Sequence, residues 1–192
     1  MHMPMKLRVI VLVTVAACVA SFYVFVVMPE RVGAWRIYQG SGRMERESKS
    51  GERFLDVKYR VAQAGKPLFS YLAMTAAPSD NDGLAMLINY QSEQRAALVA
   101  EVSEGDGTAW QARLELEPTD KWTQRVLHRQ DFKPRGVPHP GDESRALRFD
   151  RLATRVDFYD DTSVKAPTTV FENRLKLTPP VVARPPDDEH AP

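Results

Sequence analysis

The sequence predicts a mostly β protein, in which a two-sheet antiparallel sandwich follows one N-terminal transmembrane helix. Three observations indicate this fold class. Residues 9–28 contain no charged side chain and are mostly apolar. Beyond residue 51, apolar and polar residues alternate in short runs, which is the period of a half-buried β-strand. Clusters of Gly, Pro, Asn and Asp separate those runs, as turn residues do.

The first element is the apolar segment 9–28, VIVLVTVAACVASFYVFVVM. About 20 apolar residues are enough to cross a bilayer as a helix. Lys6 and Arg8 precede the segment, and basic residues tend to stay on the cytoplasmic side of a membrane. We therefore expect residues 1–8 to be cytoplasmic and the chain beyond residue 28 to be periplasmic, with the protein held in a bacterial inner membrane.

Two alternatives to this uncleaved anchor stay open. Residues 15–18 (VAAC) resemble the motif that precedes a lipidated cysteine, which would be Cys18, but residues 19–28 remain apolar where a polar tether would follow. A cleaved signal peptide is the other alternative, although its apolar core is usually about 7–15 residues long. A retained anchor could pack closely against other transmembrane helices through small residues. These are Ala16, Ala17, Ala20 and Ser21.

The β domain is predicted over residues 52–177. A connector that can include a first strand precedes it at 29–51, and a proline-rich extended tail follows at 178–192. Within the domain, Leu55 and Val57 alternate with Asp56 and Lys58, as in a strand with one buried face. The predicted strands are 54–61, 69–75, 84–90, 97–102, 110–116, 122–128, 152–158 and 170–177.

Strands of this number and spacing fit a two-sheet sandwich or jelly roll. Residues 121–126 (KWTQRV), followed by Asp131 and Phe132, resemble a strand and loop of the galactose-binding-like jelly rolls. Residues 152–158 and 171–177 resemble the last two strands of that superfamily, which includes carbohydrate-binding modules and the complex I intermediate-associated protein family. The resemblance implies a jelly-roll fold. Many members hold a calcium ion, but only Glu172 would match, so no metal is predicted.

Aromatic residues are the first candidates for a sugar site, because a ring can stack on the apolar face of a pyranose. Trp110 is in phase with Ala112 and Leu114 of its strand, and Trp122 is in phase with Val126, so we expect both to lie in the core. Trp35 follows the apolar segment closely, where a ring at the membrane interface is common. The remaining ligand-facing candidates are Phe54 and Tyr159, which are out of phase with the apolar faces of their strands.

The sequence predicts neither an enzyme nor a cofactor site. It has one cysteine, four scattered histidines and no nucleophile, phosphate-loop or zinc-binding motif. Residues 80–83 (DNDG) resemble the start of a calcium loop, but the downstream glutamate that such a loop requires is missing. The net charge of +1 excludes a strongly basic nucleic-acid surface.

Two functions follow from these expectations. The favoured hypothesis is a non-catalytic, membrane-anchored accessory or assembly subunit whose periplasmic domain docks on other subunits of a membrane protein complex. The alternative is a module that binds a carbohydrate or an envelope polysaccharide. The choice between them depends on the tryptophans, because a sugar-binding domain needs an exposed ring.

Overall fold

A computed structural model describes residues 29–63, 65–79, 82–136, 146–161 and 172–186. Within these ranges the chain is almost entirely β, with short 3-10 turns at Arg129–Asp131 and Phe149–Arg151 as its helical elements. The strands are β1 (Glu30–Val32), β2 (Trp35–Ile37), β3 (Gly40–Arg46), β4 (Arg53–Arg60), β5 (Phe69–Tyr71), β6 (Ala85–Ser92), β7 (Ala96–Glu104), β8 (Ala109–Leu116), β9 (Thr119–His128), β10 (Lys133–Pro134), β11 (Leu152–Asp160), β12 (Glu172–Leu177) and β13 (Val181–Ala183).

The strands form two sheets, which we call the first and the second sheet. The first sheet has the order β1-β2-β5-β11-β7-β8-β10. The second sheet has the order β9-β6-β12-β4-β3, and β13 continues alongside β6 beyond the end of β12. The strand pairs that form both sheets are antiparallel. The predicted antiparallel two-sheet sandwich is therefore confirmed.

Side chains from both sheets make one hydrophobic core. Leu98, Ala100 and Val102 of β7 alternate with less buried residues, and Leu55 and Val57 do the same in β4. Because successive side chains of a strand point to opposite faces, each strand contributes every second residue to the core. Trp110 is 2% exposed and belongs to this core, as predicted.

The position of Trp35 differs from the one that the sequence predicted. The prediction of a ring at the membrane interface is wrong, because its side chain is 1% exposed and lies inside the sandwich. Its ring centroid is 5.0 Å from that of Tyr71 and 5.9 Å from that of Phe69. The residue lies in β2, which pairs with β5, and this pairing carries the indole into the core.

Three strands, β1, β2 and β3, lie in the segment expected to be a connector. Strand β3 has the sequence GSGRMER, which shows no apolar alternation, yet all seven residues pair with β4. Glycine is required at Gly40, where φ is +147° and a Cβ would lie 2.2 Å from the carbonyl oxygen of Lys58. In the expected tail, residues Val181–Ala183 form β13 against β6.

The predicted transmembrane segment, residues 9–28, lies outside the described residues, as do Ala16, Ala17, Cys18, Ala20 and Ser21. Among the residues that are described, no helix is long and apolar enough to span a bilayer.

Candidate functional site

The outer face of the second sheet combines an aromatic ring with polar and charged side chains. Paired residues of neighbouring antiparallel strands share a face, so the register identifies the members of this surface. We call it the Trp122 face. It consists of Trp122 and Gln124 of β9, Asn89 and Gln91 of β6, Arg174 and Lys176 of β12, Phe54, Asp56 and Lys58 of β4, and Arg43 and Glu45 of β3.

Trp122 lies across this face. Its ring centroid is 5.2 Å from that of Phe54, with the two rings 69° apart. Its Nε1–H donates a hydrogen bond of 2.9 Å to Oε2 of Glu47. Two strands, β6 and β12, separate β9 from β4, so the contact between Trp122 and Phe54 joins backbones about 14 Å apart at the usual strand spacing. The half-buried indole is therefore held in a fixed position, with part of its surface open to solvent.

The prediction that Trp122 lies in the core is wrong. Trp122 and Val126 do share a face, as the alternation indicates, but that face points away from the other sheet. The inward phase of β9 instead holds Thr123, Arg125 and Leu127, which oppose the buried residues of β6. The Arg125 side chain is accommodated because its Nε donates 2.9 Å to the carbonyl oxygen of Glu115 and its guanidinium lies 5.9 Å from the Tyr90 ring centroid.

Phe54 and Tyr159, the aromatic residues predicted to face a ligand, lie on different sheets. Phe54 is on the Trp122 face but is only 4% exposed, because Trp122 contacts it and the Lys176 Nζ lies 5.8 Å from its ring centroid. Tyr159 pairs with Val99 on the outer face of the first sheet, where burial raises the pKa of its hydroxyl. The structure therefore places Phe54 under the half-buried indole and Tyr159 on the other sheet.

A fixed ion pair lies next to the aromatic residues. Asp56 is 5% exposed, and its Oδ1 and Oδ2 accept hydrogen bonds of 2.8 Å and 2.6 Å from Nε and Nη2 of Arg174. The Nη2 of Arg43 lies 3.5 Å from the same carboxylate. The hydrogen bond from Arg174 holds the pKa of Asp56 below its usual range, although burial acts in the opposite direction. Both guanidinium groups are thereby oriented by one buried charge.

A cleft of about 540 Å³ opens onto this face. Its volume lies within the range of small-molecule sites, which is about 300–1,000 Å³. The cleft is lined mainly by polar side chains that can bond to hydroxyl or carboxylate groups. These are Gln91, Glu93, Thr119, Asp120, Arg174 and Lys176.

Asn173 fixes the floor of the cleft from inside. Its side chain is 3% exposed, and its Nδ2 donates 3.1 Å to Oγ of Ser92. Its Oδ1 accepts hydrogen bonds from the backbone N–H groups of Gln94 and Arg174, at 3.1 Å and 2.8 Å. Burial raises the pKa of the Tyr59 hydroxyl, which also contacts Asn173. These hydrogen bonds of Asn173 therefore fix the turn after β6 relative to the start of β12.

Within the described part of the chain, no group of three or more His, Cys, Asp or Glu side chains is arranged to hold a metal ion. Of the DNDG turn, Asp80 and Asn81 lie outside the described residues. Asp131 accepts a 2.8 Å hydrogen bond from the backbone N–H of His128 and so has a local structural role.

Solved structures of other proteins share the fold of this chain. No protein-family model and no curated protein matches the sequence. The structure is similar to that of an exo-beta-agarase, with a TM-score of 0.50, 8% identity and coverage of 84% of this chain and 25% of that chain.

A family 11 carbohydrate-binding module from a cellulosomal cellulase of Clostridium thermocellum is also similar. Its TM-score is 0.48, its identity is 14%, and the match covers 84% of this chain and 94% of that chain. At these identities the likeness concerns the fold. The two-sheet sandwich that the resemblance implies is the fold that the structure shows.

Proposed function

We propose that this protein is a non-catalytic carbohydrate-binding module whose ligand lies across the Trp122 face. The observation that carries the proposal is the half-buried indole of Trp122, which keeps part of its surface open to solvent, is held by Phe54 and Glu47, and is surrounded by side chains that form hydrogen bonds. An exposed ring that is already fixed in position binds without a large loss of side-chain entropy. This is the feature that the sequence hypothesis of an assembly subunit took to be missing.

The chemistry of the face suits a sugar. The C–H groups of a pyranose ring form an apolar surface that can stack on an indole, while its hydroxyl groups require hydrogen-bond partners. Gln124 donates 3.3 Å to Oδ1 of Asn89, so two amide groups are oriented beside Trp122. Gln91 and Glu93 supply further donors and acceptors in the cleft. Polar groups that are fixed before binding favour a ligand that matches their positions.

The location of the module is a separate part of the proposal and rests on the sequence. We propose that residues 9–28 anchor the chain in a bacterial inner membrane and that the sandwich is periplasmic, where it would meet envelope polysaccharides. The structures with a similar fold include an exo-beta-agarase and carbohydrate-binding modules. Agaro-oligosaccharides and β-1,3-1,4-mixed-linked glucans are therefore the first ligands to try.

Calorimetric titration of the full-length chain in a non-ionic detergent tests the proposal. The probes are an agaro-oligosaccharide, a mixed-linked β-1,3-1,4-glucan tetrasaccharide and tetragalacturonate. We expect at least one probe to bind, and Trp122→Ala to weaken that binding about tenfold or more, as loss of a central aromatic contact does. Tyr159→Ala, which removes a half-buried ring from the other sheet, is the matched control and should leave the affinity unchanged.

Two outcomes contradict the proposal. One is that Trp122→Ala binds the probe as tightly as the wild-type protein does. The other is that no probe binds while the full-length protein migrates in a larger assembly on native electrophoresis, a result that would favour docking on other membrane subunits.

A further inference from the structure

Strand β9 has a bulge at the edge of the cleft. Its pairing with β6 is irregular there, because the single residue Gln91 faces three residues of β9. These are Asp120, Lys121 and Trp122. Bulges re-aim side chains and are common beside functional sites. The indole of Trp122 and the carboxylate of Asp120 therefore come from the same short irregular segment.

The hydroxyl group of Thr119 holds this bulge in place. It accepts the backbone N–H of Lys121 at 3.1 Å and donates to the carbonyl oxygen of the same residue at 3.2 Å. The hydroxyl group of Thr123 donates to that carbonyl oxygen at 3.3 Å. Such local hydrogen bonds offer the backbone an alternative to the regular sheet ladder. The backbone on both sides of Lys121 is therefore fixed before a ligand binds.

Asp120 offers its carboxylate to the cleft. The residue is exposed and lines the cleft wall. It takes part in none of the ion pairs that the described residues form, since the nearby pairs involve other carboxylates. Glu117 pairs with Arg95, and Glu93 lies 3.7 Å from Nη1 of Arg174. The carboxylate of Asp120 is therefore a hydrogen-bond acceptor that a ligand can reach.

The cations of the cleft are engaged by another carboxylate, that of Asp56. Arg174 donates to both of its oxygens, at 2.8 Å and 2.6 Å, and Lys176 lies opposite it in the strand register. The hydrogen bond from Arg174 lowers the pKa of Asp56, and the charge of Lys176 lowers it further. Because Glu93 and Asp120 also line the cleft, its carboxylates balance its cations. An anionic ligand would therefore gain no net attraction here.

We propose that Asp120 makes the site selective for a neutral glycan, by accepting hydrogen bonds from hydroxyl groups of the sugar next to the one stacked on Trp122. The inference rests on the proposed function and narrows it to uncharged sugars. An ionised carboxylate only accepts hydrogen bonds, and those that it accepts from O–H groups are charge-assisted and strong. The same charge repels a carboxylate or sulfate group on a ligand.

Neutral and charged forms of one oligosaccharide test this inference. The neutral probes are an agaro-oligosaccharide and the mixed-linked β-1,3-1,4-glucan tetrasaccharide, and each is compared with a form whose C6 hydroxyl groups are oxidised to carboxylates. The full-length chain is titrated in non-ionic detergent at low ionic strength. We expect the neutral form to bind about tenfold or more tightly than the oxidised form, because like charges at the site repel. Added salt should reduce this preference, since Asp120 is exposed.

A pair of variants assigns the preference to its residue. Asp120→Asn keeps the shape of the side chain but removes its charge, so the affinity for the neutral form and the neutral-to-oxidised ratio should both fall several-fold. Glu115→Gln removes the same charge from an exposed position on β8 of the first sheet. This control should leave both values unchanged.

The outcomes separate the two proposals. Equal or tighter binding of the oxidised form, or a ratio that survives Asp120→Asn, overturns the selectivity of Asp120 but leaves a carbohydrate-binding face. Tighter binding of tetragalacturonate than of both neutral probes overturns it as well. If none of these sugars binds, the proposed function itself fails.

Discussion

The outer faces of the two sheets differ in how their polar groups are used. On the first sheet, Glu101 is 8% exposed and accepts hydrogen bonds of 2.8 Å from Gln111 and 2.9 Å from Arg135. The adjacent carboxylate of Asp157 accepts hydrogen bonds from Arg155 and Ser70. On the second sheet, Trp122 keeps part of its ring open to solvent, and Lys58 and Lys176 have no ion-pair partner among the described residues.

The sandwich therefore has two different outer faces. On the first sheet, internal hydrogen bonds occupy the polar groups, whereas the second sheet has groups that remain available to a ligand. Cross-strand neighbours satisfy the acidic residues of the first sheet, so a ligand would have to compete with those contacts. On the second sheet, the ion pair of Asp56 and Arg174 orients the surroundings of Trp122 while its own charges are neutralised. We therefore expect substitutions to separate effects on stability from effects on binding.

The largest expected effect concerns two tryptophans on consecutive strands. Trp110→Ala should lower the free energy of unfolding by about 3–5 kcal/mol, because it empties a core position. Trp122→Ala removes an outer contact with Phe54 and one hydrogen bond, which should cost only about 1–2 kcal/mol. Denaturant unfolding of the full-length chain measures both. Equal losses would mean that the two rings are equally buried.

Arg174→Met should have an intermediate effect on stability. It leaves the buried carboxylate of Asp56 with the 3.5 Å contact to Arg43 and the nearby charge of Lys176. We expect a loss of about 1–2 kcal/mol, since Arg174 is partly exposed and the pair is screened by solvent. Lys58→Met, on the neighbouring strand, should change stability by less than about 0.5 kcal/mol. A larger loss for Lys58→Met would show that Lys58 has a structural partner.

The smallest effect is a pH dependence. Because the folded-state pKa of Asp56 is lowered, its ion pair contributes stability that is present above the pKa of the unfolded chain, about 3.9. That contribution is lost as the pH falls through the lower, folded-state pKa. The difference in unfolding free energy between wild type and Asp56→Asn should therefore be constant above about pH 5 and shrink toward pH 2. A difference that does not change with pH would contradict this role.

The alternation of apolar residues predicted the strands well, because each of the eight predicted runs overlaps an observed strand. It could not predict which face of β9 is buried. Trp122 and Val126 make one face of the strand look apolar, although that face is the outer one. Arg125 lies on the inward face, where it contacts Tyr90 and Glu115 of other strands. The face of a strand is decided by such tertiary partners, which the local pattern does not contain.

The other residues of the site could not be predicted from the sequence for a similar reason. Asp56 and Arg174 are 118 residues apart, and only the pairing of β4 with β12 brings them together. Strand β3 has no apolar alternation because its glycines are needed for close approach of the backbone to β4. By contrast, the phase of Phe54 correctly places it on the outer face of β4, where Trp122 covers its ring.

The central claim is that a sugar binds at Trp122, and fluorine NMR tests it most directly. The chain has three tryptophans, so the full-length protein labelled with 5-fluorotryptophan should give one resonance for each, with that of Trp122 assigned by its loss in Trp122→Phe. Titration with the agaro-oligosaccharide and with the mixed-linked glucan tetrasaccharide should shift the Trp122 resonance and leave those of Trp35 and Trp110 in place. Calorimetric binding of either sugar with an unmoved Trp122 resonance would contradict the claim.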